Sequence, residues 1–508
     1  TDAGGDVSVV AGTLFTSGGM ADLNGSLTVT ADGADINGAI VAQNDITITT
    51  TNDIDLGANN LTSEEQDITL SASHFTSTGA ILASAGDISI AGTNDAFTTN
   101  TLGSLTATLG DITLSSGDLK FGADLINAAA GTLSIIGDAA VSTTGAVDAA
   151  DGILITTTND VTLANVDSPV VAGSSAAGKL DLTFNATTSV VATVQTGTGN
   201  DTVTMDDATT KFTVTTSDGI DTVNIDDVLT GSAVNTGAGN DTITMRATLT
   251  ALDTIDGGTG TNALNIDAGT IDADFTLVSN VQTIEARDAG TYTVGALATA
   301  AGVNSITTIA NGAYVIAAGA LTNGTTVNFS SAINQLDTVT TGSGDDVIIF
   351  NGAQGLTTND IIATGTGSDV IQLDNSAAAV TGVVDMDTVS GVTQFTITDA
   401  DGLAATSAEA ISVTFSAVTE TTVQTVTVDG SAVTDANDDI TVDGSANTTT
   451  TTTFNITGGA GDDILTGGTG ADTVTGGNGA NTLDGDAGND IVTGGTGIDI
   501  ITGGTGND

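Results

Sequence analysis

The residues best suited to chemistry are carboxylate and amide positions that recur every nine residues near the end of the chain. The stretch from Gly458 to Asp508 reads GGAGDDILT, GGTGADTVT, GGNGANTLD, GDAGNDIVT, GGTGIDIIT and GGTGND. Each copy fits G-G-x-G-x-D-x-U-x, in which glycines permit turns with positive φ, the aspartate points a carboxylate into the turn, and the apolar U residue begins burial. The recurring positions are Asp463, Asp472, Asn481, Asp490, Asp499 and Asp508.

The spacing predicts how these side chains are brought together. Three residues such as Ile464 to Thr466 suffice for a short strand, so two nonapeptides complete one coil of a parallel roll. Stacked strands lie about 4.8 Å apart, which brings the carboxylates of repeats n and n+2 within reach of one ion. Two bare carboxylates at about 5 Å repel by roughly 1 kcal/mol even in water. We therefore expect a cation between them, and oxygen-only ligands favour Ca²⁺ over Zn²⁺ or Mg²⁺.

This stretch resembles the RTX repeats of secreted bacterial proteins. The resemblance implies that the glycine loops supply carbonyl oxygens to bound calcium. Asn481 departs from the pattern with a neutral amide, and Asp486 stands at a glycine position. The carboxylates to which the resemblance assigns calcium are Asp463, Asp472, Asp490, Asp499 and Asp508.

The two columns of the predicted roll differ in charge. Repeats one, three and five align Asp463, Asn481 and Asp499, whereas repeats two, four and six align Asp472, Asp490 and Asp508. Since fewer carboxylates give weaker calcium sites, we expect weaker binding in the column that contains Asn481.

Single turns of similar sequence occur earlier in the chain. TGTGNDTVT, SDGIDTVNI, TGAGNDTIT and GGTGTNALN recur at intervals of 20, 20 and 21 residues, and TGSGDDVII and TGTGSDVIQ follow later. We interpret them as a roll with one such turn per coil instead of two, and therefore with one calcium column. The alternative is Asx-turns without metal. Their candidate ligands are Asp201, Asp221, Asp241, Asp346 and Asp369, with Asn262 at the fourth turn.

A different phrase recurs from Thr1 to about Asp181. A small or polar pair precedes alternating apolar and Ser/Thr residues, as in GDVSV, GSLTV, NDITI and GDISI, mostly at spacings near 20. Alternation with period 2 indicates strands, and a 20-residue repeat indicates a solenoid coil. The segment is predicted to be a parallel β-helix of about nine coils, with a β-sandwich array as the alternative. Its phrasing is similar to that of filamentous-haemagglutinin-type adhesins.

The fold class is therefore predicted to be all-β: an elongated, calcium-loaded parallel β-helix or β-roll solenoid. Four segments are expected: a β-helix over 1–181, single-turn coils over 182–270, an irregular β-rich solenoid or β domains over 271–457, and an RTX roll over 458–508. TIDGGTGTNALNID followed by VSNVQTIEAR also resembles phrases of RTX-type bacterial surface-layer proteins.

Composition restricts the partners and the compartment. The 508 residues carry five basic and 62 acidic side chains, a net charge of −57, so binding to nucleic acid or to an anionic membrane by charge is excluded. The chain has no cysteine, one proline and neither a signal peptide nor a transmembrane run. These features predict an extracellular bacterial surface protein that folds in external calcium. Because the chain begins at Thr1 and stops inside a repeat, we expect a piece of a longer protein.

Catalytic residues are scarce. His74 is the only histidine, and the sequence has no HExxH, GxSxG or P-loop motif, so we expect no enzymatic activity. The predicted function is a calcium-dependent structural protein of a bacterial surface layer or filament, whose partner is another copy of itself or a cell-surface polysaccharide. The alternatives are the stalk of a secreted RTX adhesin, with its binding module elsewhere, and a β-helix carbohydrate-active enzyme.

Overall fold

The computed structural model describes residues 5–92, 102–115, 118–121, 124–185, 192–206, 211–226, 231–246, 249–267, 269–310, 312–329, 336–351, 356–357, 359–374, 380–384, 388–398, 411–416 and 424–508. It is nearly all β, with 3% helix, and its parallel strands stack as a β-solenoid, which confirms the predicted fold class. Two compact units divide the chain at Ala263 and Leu264.

The first unit begins with coils of three strands each. Strands of successive coils pair in parallel, so each strand of a coil belongs to a separate face of the unit. The first face contains Val7–Val10, Leu27–Ala31, Ile46–Thr50, Ile68–Ala72, Ile88–Gly92, Ile112–Ser115, Thr132–Gly137, Gly152–Thr157, Val170–Ala172, Ala192–Gln195, Phe212–Thr215, Ala233–Asn235 and Thr254–Asp256. The second face begins with a four-stranded sheet of Leu14–Ser17, Gly33–Ile36, Asp53–Gly57 and His74–Ser77. A second run of paired strands follows: Asp118–Phe121, Ala140–Thr143, Val161–Asp167, Leu180–Asn185, Thr202–Asp206, Thr222–Ile225 and Thr242–Met245. The third face contains Met20–Leu23, Ile40–Ala42, Leu61–Ser63, Ile81–Ala83, Leu105–Ala107, Ile126–Ala128 and Val147–Ala149.

The third face ends at a single long strand. Val161–Asp167 pairs through Val161 with the second face and through Val166 with the third face. Later coils have two strands joined by glycine-containing turns. The coil type therefore changes shortly before the predicted segment boundary at residue 181.

Inward-facing aliphatic side chains stack in register along the first unit. Leu27, Ile46, Ile68, Ile88 and Ile112 are in-register partners from coil to coil, and all are fully buried. Each buried side chain of this kind contributes roughly 1.5–3 kcal/mol. The alternating sequence phrases thus build a core as one continuous column, which confirms the coil of about 20 residues.

The second unit is also built from parallel strands of successive coils. One sheet contains Thr283–Ala286, Ser305–Thr308, Thr326–Phe329, Val347–Asn351, Asp369–Asp374, Val392–Thr398, Gln424–Asp429, Thr452–Thr457, Thr473–Asn478 and Ile491–Thr496. A five-stranded sheet contains Thr291–Thr293, Val315–Ala317, Thr338–Thr340, Ile361–Ala363 and Val389–Ser390. A seven-stranded sheet contains Val380–Val384, Ile411–Phe415, Ile440–Asp443, Ile464–Gly468, Thr482–Gly488, Ile500–Thr502 and Thr505–Gly506. The remaining elements are Ala263–Ile266, Val278–Ser279, the 3₁₀ helix Asp272–Leu277 and the α-helix Ala296–Ala301.

Aromatic rings stack in the core of the second unit. The ring centroids of Tyr292 and Tyr314 lie 6.2 Å apart, those of Tyr314 and Phe329 lie 6.5 Å apart, and those of Phe329 and Phe350 lie 5.1 Å apart. Rings at such distances attract beyond their apolar area. The part predicted to be an irregular β-rich solenoid or β domains therefore contains parallel-paired coils with a column of rings in their core.

The terminal nonapeptides continue the sheets of the preceding coils. Thr452–Thr457 pairs with Thr473–Asn478, and Ile440–Asp443 pairs with Ile464–Gly468. Leu465 and Leu483, 18 residues apart, are in-register partners and fully buried. Two nonapeptides per coil are thus confirmed, and a β-roll ends the described chain.

Candidate calcium sites

The terminal roll stacks the repeating side chains in two columns. In one, the backbone N–H of Asp463 donates to Oδ1 of Asn481 at 2.9 Å, and that of Asn481 donates to Oδ1 of Asp499 at 3.0 Å. In the other, the N–H of Asp472 donates to Oδ1 of Asp490 at 2.8 Å. The N–H of Asp490 donates to Oδ1 of Asp508 at 3.1 Å. These are the two alignments that the sequence predicts.

Most of these side chains are removed from water. Asp463, Asp472, Asn481 and Asp490 are buried, Asp499 is half-buried and Asp508 is exposed. Burial is the main cause that raises the pKa of Asp463, to about 6, and it also raises the pKa of Asp472. A buried carboxylate is costly unless it is paired or bound to a metal.

The first glycine of each nonapeptide leaves room beside the carboxylate. A β-carbon on Gly467 would stand 2.6 Å from Oδ2 of Asp472 and 2.8 Å from the carbonyl oxygen of Gly485. A β-carbon on Gly485 would stand 2.6 Å from the oxygen of Gly503 and 2.7 Å from Oδ2 of Asp490. We call this point, between a carboxylate oxygen and the carbonyl of the next coil, the ion position. Calcium binds oxygen at about 2.3–2.6 Å, so its size suits the space.

The donor set of the roll also fits calcium. Oδ2 of Asp490 is buried with no hydrogen-bond partner, whereas Oδ2 of Asp472 accepts from the N–H of Gly468 at 2.7 Å. Within the described residues, no group of three His, Asp or Glu side chains converges on one point. Backbone carbonyls would therefore supply much of the coordination, as calcium accepts readily.

Asp486, the residue at a glycine position, keeps the turn by adopting the glycine conformation. Its φ is +66°, in the left-handed region that aspartate tolerates better than most residues. Its N–H donates to Oδ1 of Asp484 at 3.0 Å, which ties the turn locally. The departure from the repeat pattern therefore leaves the roll intact.

The single turns place their aspartates in columns of the same type. The N–H of Asp201 donates to Oδ1 of Asp221 at 2.8 Å, that of Asp221 to Asp241 at 2.9 Å, and that of Asp241 to Oδ1 of Asn262 at 2.9 Å. In the second unit the N–H of Asp346 donates to Oδ1 of Asp369 at 2.9 Å. Whether these columns bind calcium remains a prediction. Buried Oδ2 atoms without a hydrogen-bond partner occur at Asp201, Asp221, Asp241, Asp346 and Asp369.

Sequence reasoning missed a further aspartate ladder in the first unit. The N–H of Asp87 donates to Oδ1 of Asp67, that of Asp111 to Asp87, and that of Thr132 to Asp111, at 2.7–2.8 Å. These exposed carboxylates satisfy N–H groups at the turns before each strand. The sequence feature that marks this ladder is the aspartate at the second position of NDITI, QDITL, GDISI and GDITL.

His74 lies on a coil surface. Its Nδ1 is 2.6 Å from Oδ1 of Asp53 on the neighbouring coil. Asp53 lines a groove of about 440 Å³ together with Asp32, Asp35 and Asp55. In the described part of the chain, no helix is long and apolar enough to span a membrane.

Comparison with known families identifies the repeats. A family model described as the RTX calcium-binding nonapeptide repeat matches in four copies, over residues 354–376, 457–492 and 484–508. A search of curated proteins found no match. The matches cover the terminal roll and the turn of Asp369. The chain therefore contains RTX calcium-binding nonapeptide repeats, and these repeats build its terminal β-roll.

Proposed function

We propose that this protein is an extracellular, calcium-dependent structural component that self-assembles into a bacterial surface layer or filament. The supporting observation is that strands beside the ion positions pair with strands of the coil that precedes the roll. The roll strand Thr473–Asn478 pairs with Thr452–Thr457, which belongs to the coil before it. Calcium bound in the roll would therefore stabilise a sheet that continues into the rest of the second unit.

The distribution of the carboxylates also supports a structural role. Each column aspartate accepts backbone N–H groups: Asp472, for example, accepts from Phe454 at 2.7 Å and from Gly468 at 2.7 Å. A carboxylate held in this way stabilises turns and has little freedom to move protons. We therefore propose no enzymatic activity.

Cell-surface polysaccharide is the second candidate partner. An outward row of hydroxyl side chains on the first face favours it, since hydroxyls can donate to and accept from sugars. The members of this row are in-register partners from coil to coil. They are Thr28, Thr47, Thr69, Ser89 and Thr113.

Assembly in calcium and in EGTA tests the proposal. We expect electron microscopy to show sheets or fibres in millimolar calcium and dispersed particles after chelation. Asp472→Asn should raise the calcium concentration that assembly requires, because it weakens one column. Glu64→Gln is the matched control, since it removes one exposed charge outside the roll. Dispersed particles at every calcium concentration, or assemblies that persist after addition of EGTA, would contradict the proposal.

A further inference from the structure

The residue five positions before each column aspartate separates two kinds of turn. In the terminal roll it is always glycine: Gly458, Gly467, Gly476, Gly485, Gly494 and Gly503. In the single turns whose column residue is an aspartate, the residue at this position is always threonine: Thr196, Thr216, Thr236, Thr341 and Thr364. The two residue types differ in what they place at the ion position.

Backbone conformation does not explain the glycines of the roll. None of these six first glycines has a left-handed φ, whereas the second glycines Gly477, Gly495 and Gly504 do. A β-carbon at the first glycine would instead occupy the ion position, as it would at Gly467 beside Asp472. Space next to the carboxylate is therefore what glycine supplies.

In the single turns a hydroxyl takes up that space. Oγ1 of Thr216 donates to the carbonyl of Thr236 at 2.8 Å, and Oγ1 of Thr236 donates to the carbonyl of Gly257 at 3.1 Å. Thr341 donates in the same way to Thr364 at 3.0 Å. The acceptor is the carbonyl of the next coil, which corresponds to Gly485 O in the ion position beside Gly467. A hydrogen-bond donor thus stands where the roll offers space for a cation.

Asn481 shows the same substitution inside the roll. Its Nδ2 donates to the carbonyl of Gly494 at 3.4 Å and to that of Asn478 at 3.1 Å. A β-carbon on Gly476 would stand 2.7 Å from this nitrogen. The side-chain amide therefore directs a donor, and not an oxygen ligand, toward the ion position.

We infer that the threonine hydroxyls, and the amide of Asn481, replace calcium, so that the turns of Asp221, Asp241, Asp346 and Asp369 form without the ion. The residue five positions before the aspartate then acts as the determinant of metal occupancy. Thr196 holds the same position before Asp201, but its Oγ1 is buried without a hydrogen-bond partner, so the inference does not extend to that turn. The inference opposes our sequence-based prediction of calcium in these columns. It concerns which turns bind the ion and does not depend on self-assembly.

The number of calcium ions bound per chain tests the inference. Equilibrium dialysis of the full chain, followed by elemental analysis, compares wild type with Asp221→Asn and Asp472→Asn. We expect the Asp221→Asn count to equal that of wild type and the Asp472→Asn count to fall by about one ion or more, since calcium sites depend on carboxylate ligands. A fall in the count for Asp221→Asn would overturn the inference.

Reciprocal exchanges at the determinant position provide an independent test. Thr216→Gly should raise the count by about one ion, because it opens a space flanked by oxygen ligands. Gly467→Thr should lower the count, because its β-carbon would stand 2.6 Å from Oδ2 of Asp472 and 2.8 Å from the carbonyl oxygen of Gly485, where the ion would bind. Unchanged counts in both variants, with circular dichroism confirming that they fold in calcium, would refute the inference. Assembly is scored separately, so its loss at an unchanged ion count bears only on the proposed function.

Discussion

At the scale of single residues, the column aspartates combine two roles that the repeat pattern alone does not separate. Oδ1 accepts a backbone N–H from the preceding coil in the roll and in the single turns alike. Oδ2 faces the position where the two kinds of turn differ. The aspartate therefore organises the turn in every case, and its neighbour five residues earlier determines what it binds.

Asn481→Asp should increase the calcium affinity of its column. The substitution replaces an amide donor with a carboxylate between Asp463 and Asp499, and calcium affinity increases with ligand charge. We expect the midpoint of calcium-induced folding, followed by circular dichroism, to move to a lower calcium concentration. In EGTA the variant should be less stable than wild type because three like charges then stack. Asn489→Asp, which adds a charge in the roll outside the columns, is the control; equal shifts in both variants would disprove the expectation.

The sequence was sufficient to predict the two columns, because the nine-residue repeat has no insertions and register follows directly from it. It was not sufficient to predict the threonine contacts. The bond from Thr216 to Thr236 links adjacent coils, so it depends on register and side-chain direction. The aspartate ladder of Asp67 and Asp87 was missed for the same reason.

At the scale of strands and turns, the period of about 20 residues predicts the β-helix. It does not predict the strand register between residues 271 and 457. The structure shows why. Gln394 and Thr427 are in-register partners 33 residues apart, whereas Ile371 and Phe395 are separated by 24. The number of residues between paired strands therefore varies from coil to coil, and the sequence period is lost while the strands still pair in parallel. The stacked rings of Phe329 and Phe350 maintain the core where the sequence repeat fades.

The turn that contains Asp337 should make stability depend on pH. Its Oδ1 accepts the N–H of Tyr314 at 2.8 Å, and burial is the main cause that raises its pKa to about 6. The folded chain therefore holds this proton more tightly than the unfolded chain between about pH 4 and pH 6. Stability from this group is present at low pH and is lost as the pH rises through about 6.

Urea unfolding in EGTA between pH 4.5 and 7.5 measures this effect. Asp337→Asn should give a flatter pH profile than wild type, because the amide does not titrate. The exposed Asp32→Asn removes a charge from the first unit and is the control. A wild-type profile in Asp337→Asn would show that another group is responsible.

At the scale of the whole molecule, the net charge of −57 opposes self-association unless cations are bound. Calcium should therefore promote assembly where equal concentrations of magnesium do not. Magnesium requires near-ideal octahedral geometry at about 2.0–2.1 Å and gives up water reluctantly, so it suits the carbonyl-rich turns poorly. Light scattering during titration with each cation, at constant ionic strength, measures the difference. Assembly at the same concentration of either ion would indicate that charge screening alone is sufficient.

Removal of calcium should open the terminal roll before the coils of the first unit. In the roll, Leu465 and Leu483 are buried, but Ile464 and Ile491 are 51% and 64% exposed, so each nonapeptide contributes little core. The coil over residues 27–42, by contrast, buries four aliphatic side chains, namely Leu27, Val29, Ile36 and Ile40. Ion binding must therefore supply much of the stability of the roll, as in other metal-coupled folds.

Hydrogen exchange before and after addition of EGTA distinguishes the parts of the chain. Amides of residues 458–508 should lose protection, whereas those of residues 27–92 should keep it. The single-turn coil over residues 211–226 should also remain protected, since the hydroxyl of Thr216 donates to the carbonyl of Thr236 without an ion. Protection of the roll in EGTA would show that its backbone ladders are sufficient without calcium. Loss of protection at residues 211–226 at the same rate as in the roll would instead show that the turn of Thr216 and Asp221 requires the ion.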